Sequence, residues 1–151
     1  MITGRTTRAE WTIAIGDAVG SHDAAREWLG APATVDDAVV LLVQSLRREG
    51  LIAAILTNGT DTIAAEMVEL GLDTEFDAIF NSAEIGVAKP HPNAFRHVCY
   101  ELELQPYEVF FTDDSPAKLA GAIELGMTAE PFVDVATLRA QLEKVRAAGQ
   151  S

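Results

Sequence analysis

Before Gly50, apolar residues recur only at helical spacing; after it they gather into short runs separated by helical stretches. Thr7 followed three residues later by Glu10 forms a capping box, and Trp11, Ala14, Ile15, Ala18 and Val19 then fall on one predicted stripe. Ser21 and Thr34 are the expected N-caps of two further helices. In the second of these, Val35, Ala38, Val39, Leu42, Val43 and Leu46 keep the helical period, and Gly50 after Arg47 and Arg48 stops it.

Beyond Gly50 the expected strands are Leu51 to Leu56, Phe76 to Phe80 and Val109 to Thr112, with a shorter apolar piece at Phe132-Val133. Helices are expected from about Thr60 to Gly71, from Pro92 with Phe95, Val98, Cys99 and Leu102 inward, from about Pro116 to Gly126, and at the C-terminus, with a polar tail after Arg146. Strand alternating with helix implies an α/β fold, a Rossmann-like parallel sheet with helices on both faces. The expected organisation is a helical, cap-like segment over residues 1–50 and a Rossmann-like core over 51–151.

Ligands of such sheets bind at the carboxyl ends of the strands, which directs attention to three segments. Thr57-Asn58-Gly59 offers a hydroxyl, an amide and backbone N–H groups ahead of a helix, a setting that favours an anion such as phosphate, although the same residues also make an ordinary turn and cap. Lys89 lies in Gly86-Val87-Ala88-Lys89-Pro90-His91-Pro92, where two prolines stiffen the backbone; a lysine held this way can neutralise a phosphate, while most lysines are simply solvated. His91 reads as a capping or surface residue. Asp113 and Asp114 directly follow an apolar strand, and adjacent carboxylates there cost stability unless a cation or hydrogen-bond donors compensate. Oxygen donors of this kind suit magnesium (Mg2+); the alternative is that one aspartate caps the next helix.

With 151 residues, 48% of them hydrophobic, the chain has material for one domain with a core or a core with a small appendage. Its 23 acidic and 11 basic residues give a formal charge of -12, which argues against nucleic acid or an acidic membrane surface as partner and requires any phosphate site to be locally positive. A lone cysteine, Cys99, and the lack of a long apolar run or secretory leader lead to the expectation of a cytoplasmic protein that does not enter membranes.

Taken together, the three segments resemble the haloacid dehalogenase-like hydrolases. Ile55-Leu56-Thr57-Asn58-Gly59 is similar to the family's second motif, Val87-Ala88-Lys89-Pro90 to its third, and Phe110-Phe111-Thr112-Asp113-Asp114-Ser115-Pro116 to its fourth. Asn81 to Gly86 and Gly121 to Met127 resemble the text that flanks these motifs, and the helical first third resembles the family's small inserted cap. The resemblance implies magnesium-dependent hydrolysis of a small phosphorylated metabolite. Thr57 would bind the phosphoryl group, Asn58 and Gly59 would shape its loop, and Lys89 would neutralise it. Asp114 would be the principal magnesium ligand and Asp113 a second; Lys118 stands where the family often has Asp or Asn.

One motif is missing. The family begins with a central strand ending in Asp-x-Asp, which supplies the nucleophile, whereas every aspartate before Gly50 (Asp17, Asp23, Asp36 and Asp37) lies in or beside a predicted helix. Only Ile13 to Asp17 could pass for a strand ending in a carboxylate, and the capping box and stripe favour helix there. The chain is therefore expected to be inactive as it stands, to have its true start upstream, or to be a catalytically dead phosphate-binding or regulatory domain. A 2-haloacid dehalogenase is a weaker alternative, because paired carboxylates suit an organic acid poorly. The absent strand would leave sheet edges open to pairing, so a homodimer through those edges is expected. Substrate identity is not legible: Trp11 and Trp28 are generic apolar anchors.

Overall fold

The computed structural model describes residues 2–30 and 33–149; the side chain of Trp28 lies outside the described residues. The chain forms two compact units, Met1–Gly86 and Val87–Ser151. It is an α/β fold with parallel strands, as the hydropathy pattern predicts.

In the first unit, helix α1 (Arg8–Val19) opens on the expected capping box. The Thr7 hydroxyl accepts from the Glu10 N–H at 3.2 Å, and the Glu10 carboxylate accepts from the Thr7 N–H at 2.8 Å. The predicted apolar stripe is not the packed face: Ala14, Ala18 and Val19 are exposed, and the buried position is Gly16. A Cβ added at Gly16 would lie 2.2 Å from Nδ1 of His22, so the missing side chain lets α1 settle directly on the start of α2 (His22–Leu29). Ile13 to Asp17 is helical, as predicted, and Asp17 faces His22 at 3.1 Å.

Ser21 caps α2 as expected. Helix α3 (Asp37–Arg48) is instead capped by Asp36, not by Thr34. The Asp36 carboxylate accepts from the N–H groups of Ala38 (2.9 Å) and Val39 (3.3 Å), and a charged acceptor serves the positive end of a helix better than a hydroxyl two residues farther out. Leu42 and Val43 carry the buried face of α3, and Gly50 ends the turn after it at φ +88°.

Strand β1 (Ala54–Thr57) pairs in parallel with β2 (Ala78–Asn81), in register from Ala54 with Ala78 to Thr57 with Asn81. The apolar run began at Leu51, but Leu51 and Ile52 are exposed. Pairing starts only where the Asp77 carboxylate takes the Ala53 N–H (2.8 Å) and Arg47 clamps that same carboxylate at 2.7 Å. Helices α4 (Ile63–Glu69) and α5 (Ser82–Ile85) follow the two strands.

The second unit holds α6 (Pro92–Glu101), β3 (Phe110–Asp113), a 3-10 turn at Pro116–Leu119, α7 (Ala120–Leu125), β4 (Thr128–Pro131) and α8 (Val135–Gly149). His91 caps α6 through Nδ1, which accepts the Asn93 N–H at 3.1 Å. The core gathers Phe95, Val98, Cys99, Leu119, Ala122, Met127 and Leu138, and the Phe95 ring meets Phe111 edge to face at 5.0 Å.

Two features lie beyond the reach of the hydropathy pattern. The fourth strand is Thr128–Pro131, ahead of Phe132-Val133, because pairing with Phe110 to Asp113 selects its residues and hydropathy does not. Helix α8 also continues past Arg146 as far as Gly149.

Among the described residues β1 has β2 as its one strand neighbour and β3 has β4. Apart from Asn81, every strand residue is only half-buried, although the apolar runs predicted full burial. No helix among the described residues is long and apolar enough to cross a membrane.

Candidate functional site

The turn after β3 is organised by one carboxylate. Asp113 Oδ2 accepts from Lys89 Nζ at 2.6 Å, Oδ1 accepts from the Ser115 N–H at 2.9 Å, and Lys118 Nζ stands 3.9 Å from Oδ1. The Lys89 and Asp113 side chains are each 7% exposed, so the pair is screened from water. Burial pushes the Asp113 carboxyl upward. The hydrogen bonds from Lys89 and Ser115 and the charges of Lys89 and Lys118 outweigh it and hold the group below the usual carboxylate range.

Local sequence explains how Lys89 is presented. The Lys89-Pro90 peptide is cis, and the His91 N–H returns to the Ala88 carbonyl at 3.0 Å, a turn that leads directly into α6. Gly121 supports it from α7: a Cβ there would lie 2.0 Å from the Pro90 carbonyl oxygen, so only glycine allows this approach. The Lys89 ammonium also lies 5.4 Å from the centroid of the Phe111 ring, an attractive position for a cation over an aromatic face.

Asp114, the next residue, is exposed. As a donor set for magnesium, Asp113 and Asp114 fit the ion's habit of taking one or two carboxylates and leaving other positions to water and phosphate. They do not form a closed cage, since no group of three or more His, Cys, Asp or Glu gathers among the described residues. Asp113 Oδ1 retains acceptor capacity beyond the Ser115 N–H, and the group nearest to claiming it is the Lys118 ammonium.

In the first unit, Thr57 ends β1 opposite Asn81, and Asn58 and Gly59 begin the loop. The loop is held from β2. Asn81, 3% exposed, donates from Nδ2 to the Thr60 carbonyl at 2.6 Å, and its Oδ1 accepts the Ala83 N–H at 3.2 Å. Gly59 is buried against these groups, and a Cβ on it would come within 2.2 Å of Ile63 and 2.9 Å of Asn81 Oδ1. Helix α4 begins at Ile63, three residues beyond the expected start, because Thr60–Thr62 form a turn of their own. In that turn Thr60 and Thr62 share a hydroxyl hydrogen bond (2.8 Å), and Arg8 reaches the Asp61 carboxylate through its N–H (2.8 Å) and ion-pairs with Glu66.

Of the residues read from sequence, the structure brings Lys89 and Asp113 into direct contact, places Asp114 beside them, and sets Thr57 at the end of β1 with Asn58 and Gly59 in the loop that follows. Sequence reasoning gave Asn81 no role and placed Lys118 only by resemblance. A polar residue closing an apolar strand could have marked Asn81, whereas the reach of Lys118 back to Asp113 depends on the 3-10 turn.

The chain is similar to several known proteins. Rat bifunctional epoxide hydrolase 2 is 32% identical over 108 residues, covering 67% of this chain and 19% of that protein. Phosphoserine phosphatase of Thermus thermophilus is 36% identical over 89 residues, covering 58% of this chain and 36% of that enzyme. The chain thus spans well under half the length of these relatives. A wild-type HAD-family enzyme of Bacteroides thetaiotaomicron, crystallised with magnesium and inorganic phosphate, superposes with a TM-score of 0.75 at 25% identity, over 91% of this chain and 76% of that one. The family model for haloacid dehalogenase-like hydrolases matches residues 5–126, which take in Thr57-Asn58-Gly59, Lys89 and Asp113-Asp114, and the chain belongs to that family.

Proposed function

We propose that this chain carries the phosphate- and magnesium-handling part of a phosphomonoester hydrolase acting on a small phosphorylated metabolite. The observation that carries the reading is the buried Lys89–Asp113 pair, at 2.6 Å, at the end of β3 and one residue before the exposed Asp114. A buried ion pair contributes little net stability in most proteins, so its maintenance at a strand end is better understood as holding an ammonium ready for an anionic group. Lys89 would neutralise the phosphoryl oxygens while Asp113 fixes its position. In the first unit Thr57 would offer its hydroxyl to a phosphoryl oxygen, with Asn58 and Gly59 shaping the loop that Asn81 secures. Asp113 and Asp114 would hold magnesium, which when bound offsets charge on the phosphoryl oxygens.

No described strand ends in Asp-x-Asp, and Asp17, the one alternative, lies on α1 paired with His22. With no Asp-x-Asp nucleophile among the described strands, the 151-residue chain by itself is expected not to turn over. That feature favours a second reading, a phosphate-binding or regulatory domain. A 2-haloacid dehalogenase remains the weaker alternative, for the carboxylate reason already given.

The test is hydrolysis of an aryl phosphate with magnesium, comparing this chain with a version extended by a strand ending in Asp-x-Asp. Turnover in the extended protein, abolished by Asp114→Asn, supports the hydrolase reading. Phosphate binding without turnover in either protein supports the regulatory one. Metal-dependent turnover by the short chain that disappears in Asp17→Asn would overturn the assignment of α1.

A further inference from the structure

We propose that Lys118 sets the magnesium affinity of this site by acting as a resident cation that competes with the metal for Asp113; the proposal rests on the magnesium assignment above. The 3-10 turn at Pro116–Leu119 folds back on β3, with the Lys118 N–H donating to the Ser115 carbonyl at 2.9 Å. That turn returns the ammonium of residue 118 to 3.9 Å from Asp113 Oδ1, the oxygen that does not bond Lys89. The side chain is 38% exposed, so it can withdraw but must be displaced for a second cation to approach Oδ1.

Charge makes the competition effective. Asp113 and Asp114 contribute two negative charges and Lys89 and Lys118 two positive ones, so the two ammoniums offset much of the attraction that the carboxylates hold for a cation. Lys89 is buried and bonded directly to Asp113, hence its charge is a fixed part of the site. Lys118 is the adjustable one. A divalent ion and an ammonium sharing one carboxylate repel each other over a few ångströms, where water screens only part of the interaction. Asp114 is consequently the ligand on which magnesium depends most, and an anion can be held by two ammoniums before any metal arrives.

The experiment is calorimetric magnesium titration of the whole 151-residue chain and of Lys118→Met and Lys118→Asn, with circular dichroism to verify the fold and thermal shift on added magnesium as a second readout. Both variants are expected to bind magnesium about tenfold more tightly than the unaltered chain. Met removes the charge without adding a ligand, so equal tightening in the two isolates the charge effect. Unchanged or weaker affinity in Lys118→Met overturns the proposal, as does tightening confined to Lys118→Asn, which would mean that the amide supplies a ligand. Absence of binding in the unaltered chain and both variants also overturns it. Asp114→Asn placed on Lys118→Met separates the two readings. If that change leaves binding intact the magnesium assignment fails, and if it abolishes binding while Lys118→Met alone has no effect only the role of Lys118 fails.

Discussion

Replacing Lys89 with Met tests whether the ion pair after β3 is as enclosed as its geometry indicates. The substitution keeps the length and apolar stem of the side chain and deletes the ammonium 2.6 Å from Asp113. Breaking a buried pair from one side costs about 3–5 kcal/mol, because the remaining charge is left uncompensated. Asp113 keeps the Ser115 N–H at 2.9 Å and Lys118 at 3.9 Å, so the expected loss lies at the lower end, about 3 kcal/mol at neutral pH. Changing Asp113 to Asn in the same protein removes the orphaned charge and should restore about 2 kcal/mol of it, whereas Lys144→Met on an exposed face of α8 should stay within about 0.5 kcal/mol of the parent.

The pH dependence follows from the sign of the shift. The Asp113 carboxyl is held below the ordinary carboxylate value, so its stabilising contribution is complete above that value and is lost as pH falls through the lowered pKa. In Lys89→Met burial acts with less opposition and the carboxyl moves upward. The gap between the two proteins is therefore widest near neutral pH and narrows in acid, as Asp113 takes a proton in the variant first and then in the parent. Urea unfolding followed by circular dichroism at both pH values measures the gap. A folded Lys89→Met variant within about 0.5 kcal/mol of the parent at neutral pH would refute the reasoning.

Gly121→Ala should lower stability by at least about 2 kcal/mol in thermal unfolding, since its Cβ would sit 2.0 Å from the Pro90 carbonyl oxygen and backbone must move to admit it. Asp77 is held below its ordinary value first by the Ala53 N–H and then by Arg47; its contribution, full above that value, fades as pH falls through the lowered pKa, and Asp77→Asn should flatten this part of the acid limb of a stability–pH profile. Half-buried apolar strands that have one strand neighbour each among the described residues should pair between copies, and light scattering at micromolar concentration is expected to show a dimer or larger species, with a clean monomer counting against open edges.

What was legible in the sequence was mostly what chemistry requires of residue types. Thr57, Lys89, Asp113 and Asp114 stand out because a hydroxyl, a proline-bracketed lysine and adjacent carboxylates follow or flank apolar runs, and those runs do become β1 and β3. The capping box at Thr7 and the glycine stop at Gly50 were equally readable, since each is settled within a few residues of chain. At the start of α3 the pattern points to Thr34, but Asp36 lies nearer the first turn and its charged acceptor makes the cap.

The remaining features depend on partners distant in the chain. Thr128 to Pro131 becomes a strand because Phe110 to Asp113 offers a ladder, which a hydropathy reading of the segment in isolation has no means of detecting. The stripe on α1 misled for the opposite reason. Helical periodicity identifies where a side chain could be buried, but a glycine can bury a helix more closely than any side chain, and Gly16 does so against His22. Lys118 combines both difficulties. By type it is an ordinary surface lysine, and only the turn that returns it to Asp113 makes it part of the site. A motif thus identifies groups able to hold a ligand, while the groups that regulate how tightly they hold it are chosen by the fold.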